Sequence, residues 1–115
     1  MPKYHLFLYS PESVGADWSP EEIQAIILRY KRWRENIAAR GHQAGGDKLR
    51  DGAGRVLKSA GGKIMVTDGP YVETREVLGG FFHLVAESFD QAVELARDCP
   101  HLEYGTIEIR EVENT

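Results

Sequence analysis

A chain of 115 residues, 42% hydrophobic and 28% charged, is long enough for one domain with its own core and is composed like an ordinary globule. Its formal net charge of −4 argues against a general nucleic-acid binder, because duplex binding needs a clustered cationic surface. The one cysteine, Cys99, excludes an intrachain disulfide, and no apolar run approaches the roughly 20 residues that cross a bilayer.

The first residues, "MPKYHLFLYSPE", hold one lysine and an apolar stretch too short for a signal-peptide core. A cytoplasmic protein with no membrane contact is the expectation. Tyr4 to Tyr9 is aromatic-rich, apolar on both faces and bounded by Ser10-Pro11, which predicts a central strand. After a loop, Ser19 stands as an N-cap, Pro20 as the first helical residue and Glu22 as the partner in a capping box. Trp18 and Ile23 have the spacing of a hydrophobic staple. Ile23, Ile26, Ile27, Tyr30, Arg34, Ile37 and Ala38 keep the helical period with Arg34 as the polar exception, and Gly41 ends the helix. Arg32, Arg34 and Arg40 suit the negative pole of that helix and read as a solvated basic face.

Beyond Gly41 the chain is glycine-rich and broken. It predicts a strand over Gln43–Leu49, a turn at Asp51-Gly52, strands over Arg55–Ser59 and Lys63–Thr67 joined at Gly61-Gly62, and a strand over Gly79–Glu87. Ser88 opens a second helix with Gln91 in a weaker capping box; Ala92, Val93, Leu95, Ala96 and Cys99 form its buried stripe, and Pro100 marks its end. Cys99 reads as core rather than nucleophile, since nothing nearby would lower its pKa. Gly105–Val112 alternates, with Ile107 and Ile109 on one face.

The long elements run strand, helix, strand, inserted hairpin, strand, helix, strand. This is the α+β, ferredoxin-like βαββαβ order, with residues 1–115 forming a single domain. Both helices must then cover one sheet face. The other carries aromatic and aliphatic side chains from the strands of His5, Phe7 and Tyr9 and of Phe81, His83 and Val85, a surface that should not stay exposed. A homodimer burying it sheet to sheet is expected.

The stretch "TDGPYVETREVLGGFF" resembles the signature of the YCII-related proteins, in the branch named for an Asp-Gly-Pro-Phe motif. Here that motif reads Asp68-Gly69-Pro70-Tyr71, and the likeness continues through Glu73, Thr74, Glu76 and Leu78-Gly79-Gly80. It extends to "YHLFLY", "FDQAVELARDCP" and "GTIEIREV", nearly the whole chain. The resemblance implies a dimeric α/β barrel of ferredoxin-like protomers, and an accessory role linked to a sigma factor. Some relatives carry a His–Asp pair in the cleft with the histidine on the first helix. The helix from Ser19 to Arg40 holds no histidine here, so that pair is not carried over.

Asp68-Gly69-Pro70 is accounted for by turn chemistry alone, and the Asp68 carboxylate is also a ligand candidate. Glu73, five residues on, could crowd Asp68 into an acid–base pair or bond its own loop. Tyr71 reads as an aromatic plug with a polar handle. His5 and His83 fall on predicted central strands and could share a face with Glu108, making a polar pocket in an apolar cleft. No histidine spacing fits a zinc motif, and the Gly-Gly pairs fit neither a phosphate loop nor a dinucleotide fingerprint, so no metal and no cofactor are implied. The first expectation is a small dimeric protein binding a small molecule between the sheet and the Asp68–Tyr71 loop. The second is a cofactor-free isomerase, lyase or oxygenase-like enzyme using Asp68, Glu73 and His83. The third is a protein-interaction module, with a neighbouring sigma factor as its partner.

Overall fold

The computed structural model describes residues 1–52, 54–69 and 76–113. Its elements are β1 (Lys3–Pro11), α1 (Pro20–Ala39), β2 (Gly45–Lys48), β3 (Arg55–Ala60), β4 (Lys63–Asp68), β5 (Glu76–Val85), α2 (Phe89–Ala96), a 3₁₀ turn at Pro100–Glu103 and β6 (Thr106–Glu111). This is an α+β fold with two α-helices and antiparallel sheets. The main sheet has the order β2-β5-β1-β6, and β3 pairs with β4 in a separate ribbon. The elements follow the expected order, and β1 and β5 are central as their two-sided apolar character predicts.

The alternation of β1 sets the core. Tyr4, Leu6 and Leu8 are buried, while His5, Phe7 and Tyr9 are half-buried on the opposite face. Phe82 and Leu84 of β5 extend the buried face, and both helices pack on it through Trp33, Ile37, Ala92, Leu95 and Ala96. Each buried leucine or isoleucine of this core, such as Leu6, Leu84 or Ile37, contributes roughly 1.5–3 kcal/mol. Trp33 joins three elements: its ring lies 4.9 Å from that of Phe82, and its Nε1 donates to the Leu95 carbonyl at 3.2 Å.

The ends of α1 follow the sequence closely. The Glu22 N–H donates to Ser19 Oγ at 3.1 Å, and the Ser19 N–H donates back to the Glu22 carboxylate at 3.4 Å. At the far end Gly41 takes φ +89°, its N–H bonding Ala38 O at 3.0 Å while the His42 N–H bonds Ile37 O at 3.1 Å. This is a Schellman stop, and the left-handed residue it requires explains the glycine.

The buried stripe of α1 differs from expectation. Ile23 and Ile27 are 39% and 52% exposed and Ala38 is exposed, whereas Trp33, outside the expected stripe, is buried. The physical reason is that only the C-terminal half of α1 lies on the sheet; its first half borders a cavity. The basic residues also fall differently. The last turn of α1 holds none, Arg40 being the C-cap, and Arg34 is half-buried rather than solvated.

α2 is shorter than Pro100 would allow, closing at Ala96. Ser88 Oγ accepts the Gln91 N–H at 3.1 Å, and the Gln91 side chain accepts the Glu87 N–H at 2.7 Å rather than that of the cap itself. In β5 the register slips opposite Leu8 and Tyr9, which pair with Gly80 and Leu78 and leave Gly79 as a bulge.

Candidate functional site

A cavity of about 600 Å³ opens between the first half of α1, the loop before it and the margin of the sheet. Leu8, Trp18, Ile23, Ile26 and Phe82 give it apolar walls, and the ring of Trp18 is braced edge-on by Tyr104 at 5.1 Å. Gly79 and Gly80, at the bulge within β5, complete the rim. Polar groups in the lining include Tyr30, Arg34 and His101.

His101 is buried and bonded at both ring nitrogens. Nε2 lies 2.8 Å from the Tyr9 carbonyl, which can only accept, so Nε2 carries the proton. Nδ1 then accepts from the Tyr30 hydroxyl at 3.0 Å. Burial is the largest cause of a lowered His101 pKa, and burial also pushes the Tyr30 phenol well above its ordinary range. The pair is therefore neutral imidazole with neutral phenol. The Tyr30 oxygen, having donated, still offers lone pairs to an incoming donor.

One expected outcome follows from the lowered pKa. Between the folded value and the unfolded value of 6.5, the unfolded chain binds more protons. Stability contributed by neutral His101 is therefore present above about pH 6.5 and is lost as pH falls below it, levelling off below the folded pKa. In urea melts from about pH 8 to about pH 5, His101→Gln should lose less stability across the acidic part of the range than the parent chain. An identical slope for both proteins would show that His101 does not titrate with unfolding.

Arg34 is the second notable group. Its guanidinium has no ion-pair or hydrogen-bond partner among the described residues. Several neighbouring charges are engaged: Lys31 faces Glu35 at 3.9 Å, Lys48 pairs with Asp51 at 2.8 Å, and Arg29 pairs with Glu103; the Asp47 carboxylate also borders the cavity.

The opposite sheet face gathers other polar groups. His5 pairs directly across from His83, with ring centroids 6.0 Å apart. Phe7 pairs with Phe81 on one side and Glu108 on the other, so His5, His83 and Glu108 share this face. His83 lies over Gly45, where a Cβ would stand 2.7 Å from its Cε1. A shallow hollow of about 570 Å³ borders His5 and His83 here.

The model of the YCII-related domain matches residues 5–115. The chain belongs to the YCII-related family. Over 110 residues it is 30% identical to an uncharacterized protein, R00369, of Rhizobium meliloti (strain 1021), a match covering 93% of this chain and 89% of the relative.

Within this YCII-related chain, Asp68 ends β4 on the ribbon. Its side chain is 92% exposed and lies 3.6 Å from Arg55 across the two strands. It lines neither of these two cavities, one of which borders His83. Tyr71 and Glu73 fall outside the described residues. Glu76 accepts the Thr106 hydroxyl at 3.1 Å. Cys99 is buried and its thiol is pushed up to about 11, chiefly by burial, which suits a core residue and not a nucleophile. No group of three or more His, Cys, Asp or Glu among the described residues is placed to hold a metal ion, and no described helix is long and apolar enough to cross a membrane.

Sequence reasoning missed the Tyr30–Arg34–His101 lining. Tyr30 and His101 stand 71 residues apart, so no local pattern joins them. Arg34 did carry a signal, as the polar break in an otherwise apolar helical period.

Proposed function

We propose that this protein is a homodimeric small-molecule-binding member of the Asp-Gly-Pro-Phe branch. The ligand is a small, partly apolar anion, held in the cavity between α1 and the sheet beside the strand that the motif segment enters. The observation that carries this reading is Arg34, a half-buried residue whose guanidinium has no partner among the described residues, on the wall of a largely apolar cavity. A planar guanidinium receives a carboxylate or phosphate through two parallel bonds, and the size of the cavity suits a small ligand.

The dimer is supported by the fold. The strand order β2-β5-β1-β6 with both helices on one face supports reading the protomer as ferredoxin-like. Its other face presents His5, Phe7, Tyr9, Phe81 and His83, and a second copy packed there closes a dimeric α/β barrel. In that assembly His5, His83 and Glu108 form a polar patch inside the interface, a secondary place for a ligand's polar end. An accessory role in a sigma-factor-linked response rests on the family resemblance, and a cytoplasmic location on the sequence reading.

The test is a thermal-shift screen of small carboxylates and phosphates beside their neutral analogues, on the parent chain and on Arg34→Ala. Certain apolar anions should raise Tm in the parent and lose that effect in the variant. A library in which nothing raises Tm removes the ligand reading. Equal stabilisation of both proteins removes Arg34 as the anchor.

The enzyme reading needs Asp68, Glu73 and His83 around one void. Asp68 on the ribbon and His83 on the main sheet do not favour it.

A further inference from the structure

The β3–β4 ribbon has two unlike faces. Leu57 pairs with Val66 and Ser59 with Ile64, so Leu57, Val66 and Ile64 share one face. Val56, Lys58, Ala60, Lys63, Met65 and Thr67 share the other, where Val56 is half-buried and Met65 is the exposed large apolar side chain. The three apolar side chains of the first face are 65%, 59% and 64% exposed. Neither strand makes more than marginal contact with any element but its twin. The Arg55–Asp68 pair and the Gly69 N–H bond to Gly54 O, at 2.9 Å, close its base.

An isolated two-stranded ribbon is marginal in water at best, and an apolar strand face with free edges invites association. The cover must be present whenever the chain folds, and a second copy of the chain always is. The surface area agrees. The accessible surface is 8315 Å², against roughly 6,300 Å² for a compact monomer of this mass. That excess of roughly 2,000 Å² exceeds the roughly 800 Å² each partner gives to a specific interface. The radius of gyration is 16.2 Å, against roughly 13 Å for a compact domain of this length. The molecule is a slab 49 × 44 × 18 Å, so the ribbon extends sideways instead of folding back over its own body. Charge also fits: Arg55, Lys58 and Lys63 against Asp68 give the ribbon +2, leaving −6 on the rest of a chain whose total is −4.

We infer that the β3–β4 ribbon is an arm that seats its Leu57–Val66–Ile64 face on a second copy of this chain. Two copies exchange arms across their twofold axis. This contact is additional to the sheet-face packing and does not depend on the ligand reading.

Two measurements test it. Sedimentation across a dilution series should show a dimer for the parent chain, with Leu57→Lys/Val66→Lys raising its Kd at least 100-fold while the far-UV spectrum of the main sheet and helices persists. Independently, parent protein mixed from ¹⁴N- and ¹⁵N-labelled chains and treated with a zero-length amine–carboxylate cross-linker should join Lys58 or Lys63 of one chain to an acidic residue of the other. A monomeric parent chain, which would leave the face to a different protein, overturns the inference. So does an unchanged Kd in the variant, or cross-links from Lys58 and Lys63 confined to one chain.

Discussion

Replacing Trp33 by alanine is expected to destabilise the fold by about 4 kcal/mol, within the span found when large aromatic side chains are removed from cores. Two losses combine. Loss of the ring, which packs tilted against Phe82 at 4.9 Å, leaves a void between α1 and the sheet. The Leu95 carbonyl, buried at the end of α2, loses the Nε1–H that satisfies it. Because a domain of this size has only about 5–15 kcal/mol in total, the variant should sit near its unfolding threshold. Trp33→Phe separates the terms, restoring most of the packing but not the bond. Urea unfolding followed by far-UV circular dichroism measures both. A loss below about 2 kcal/mol for the alanine variant would mean that α1 is held on the sheet by something other than this side chain.

Gly105→Ala is the second large effect, with an expected loss of at least about 3 kcal/mol, the sum of an overpacking term and a broken buried hydrogen bond. A Cβ at Gly105 would lie 1.9 Å from the Tyr9 carbonyl oxygen and 3.0 Å from His101 Nε2. The first neighbour is backbone of a central strand and cannot swing aside. The start of β6, where Thr106 pairs with Tyr9, must therefore move off β1. The movement also draws the preceding 3₁₀ turn, and His101 with it, away from the Tyr9 carbonyl that holds its tautomer. The same urea series gives the stability, and the ¹⁵N shifts of the imidazole report whether Nε2 still donates. A variant within about 1 kcal/mol of the parent and with unchanged ring shifts would show that the junction yields without strain.

Local chemistry made much of this fold legible. Ser19, Pro20 and Glu22 announce the start of α1 because a cap is a contact among residues a few places apart. The alternation of Tyr4 to Tyr9 announces a central strand because side-chain period is a local property. Trp33 and Ile27 were misplaced because burial along a helix depends on how much sheet lies beneath it, which no helical period encodes. The cavity was not legible for the same reason: Tyr30, Arg34 and His101 meet only once α1 and the 3₁₀ turn are docked. Asp68 is instructive in the other direction. Its place before Gly69-Pro70 reads as a turn, yet it forms the closing rung of the ribbon opposite Arg55.

The sealed position of Cys99 has a practical consequence. The molecule carries a single thiol, 3% exposed and protonated at neutral pH, so its surface offers no competing thiol. A cysteine introduced at Ser59, on the ribbon's apolar face, would be a unique chemical address. A spin label or fluorophore attached there would report the surroundings of that face in the otherwise unaltered protein.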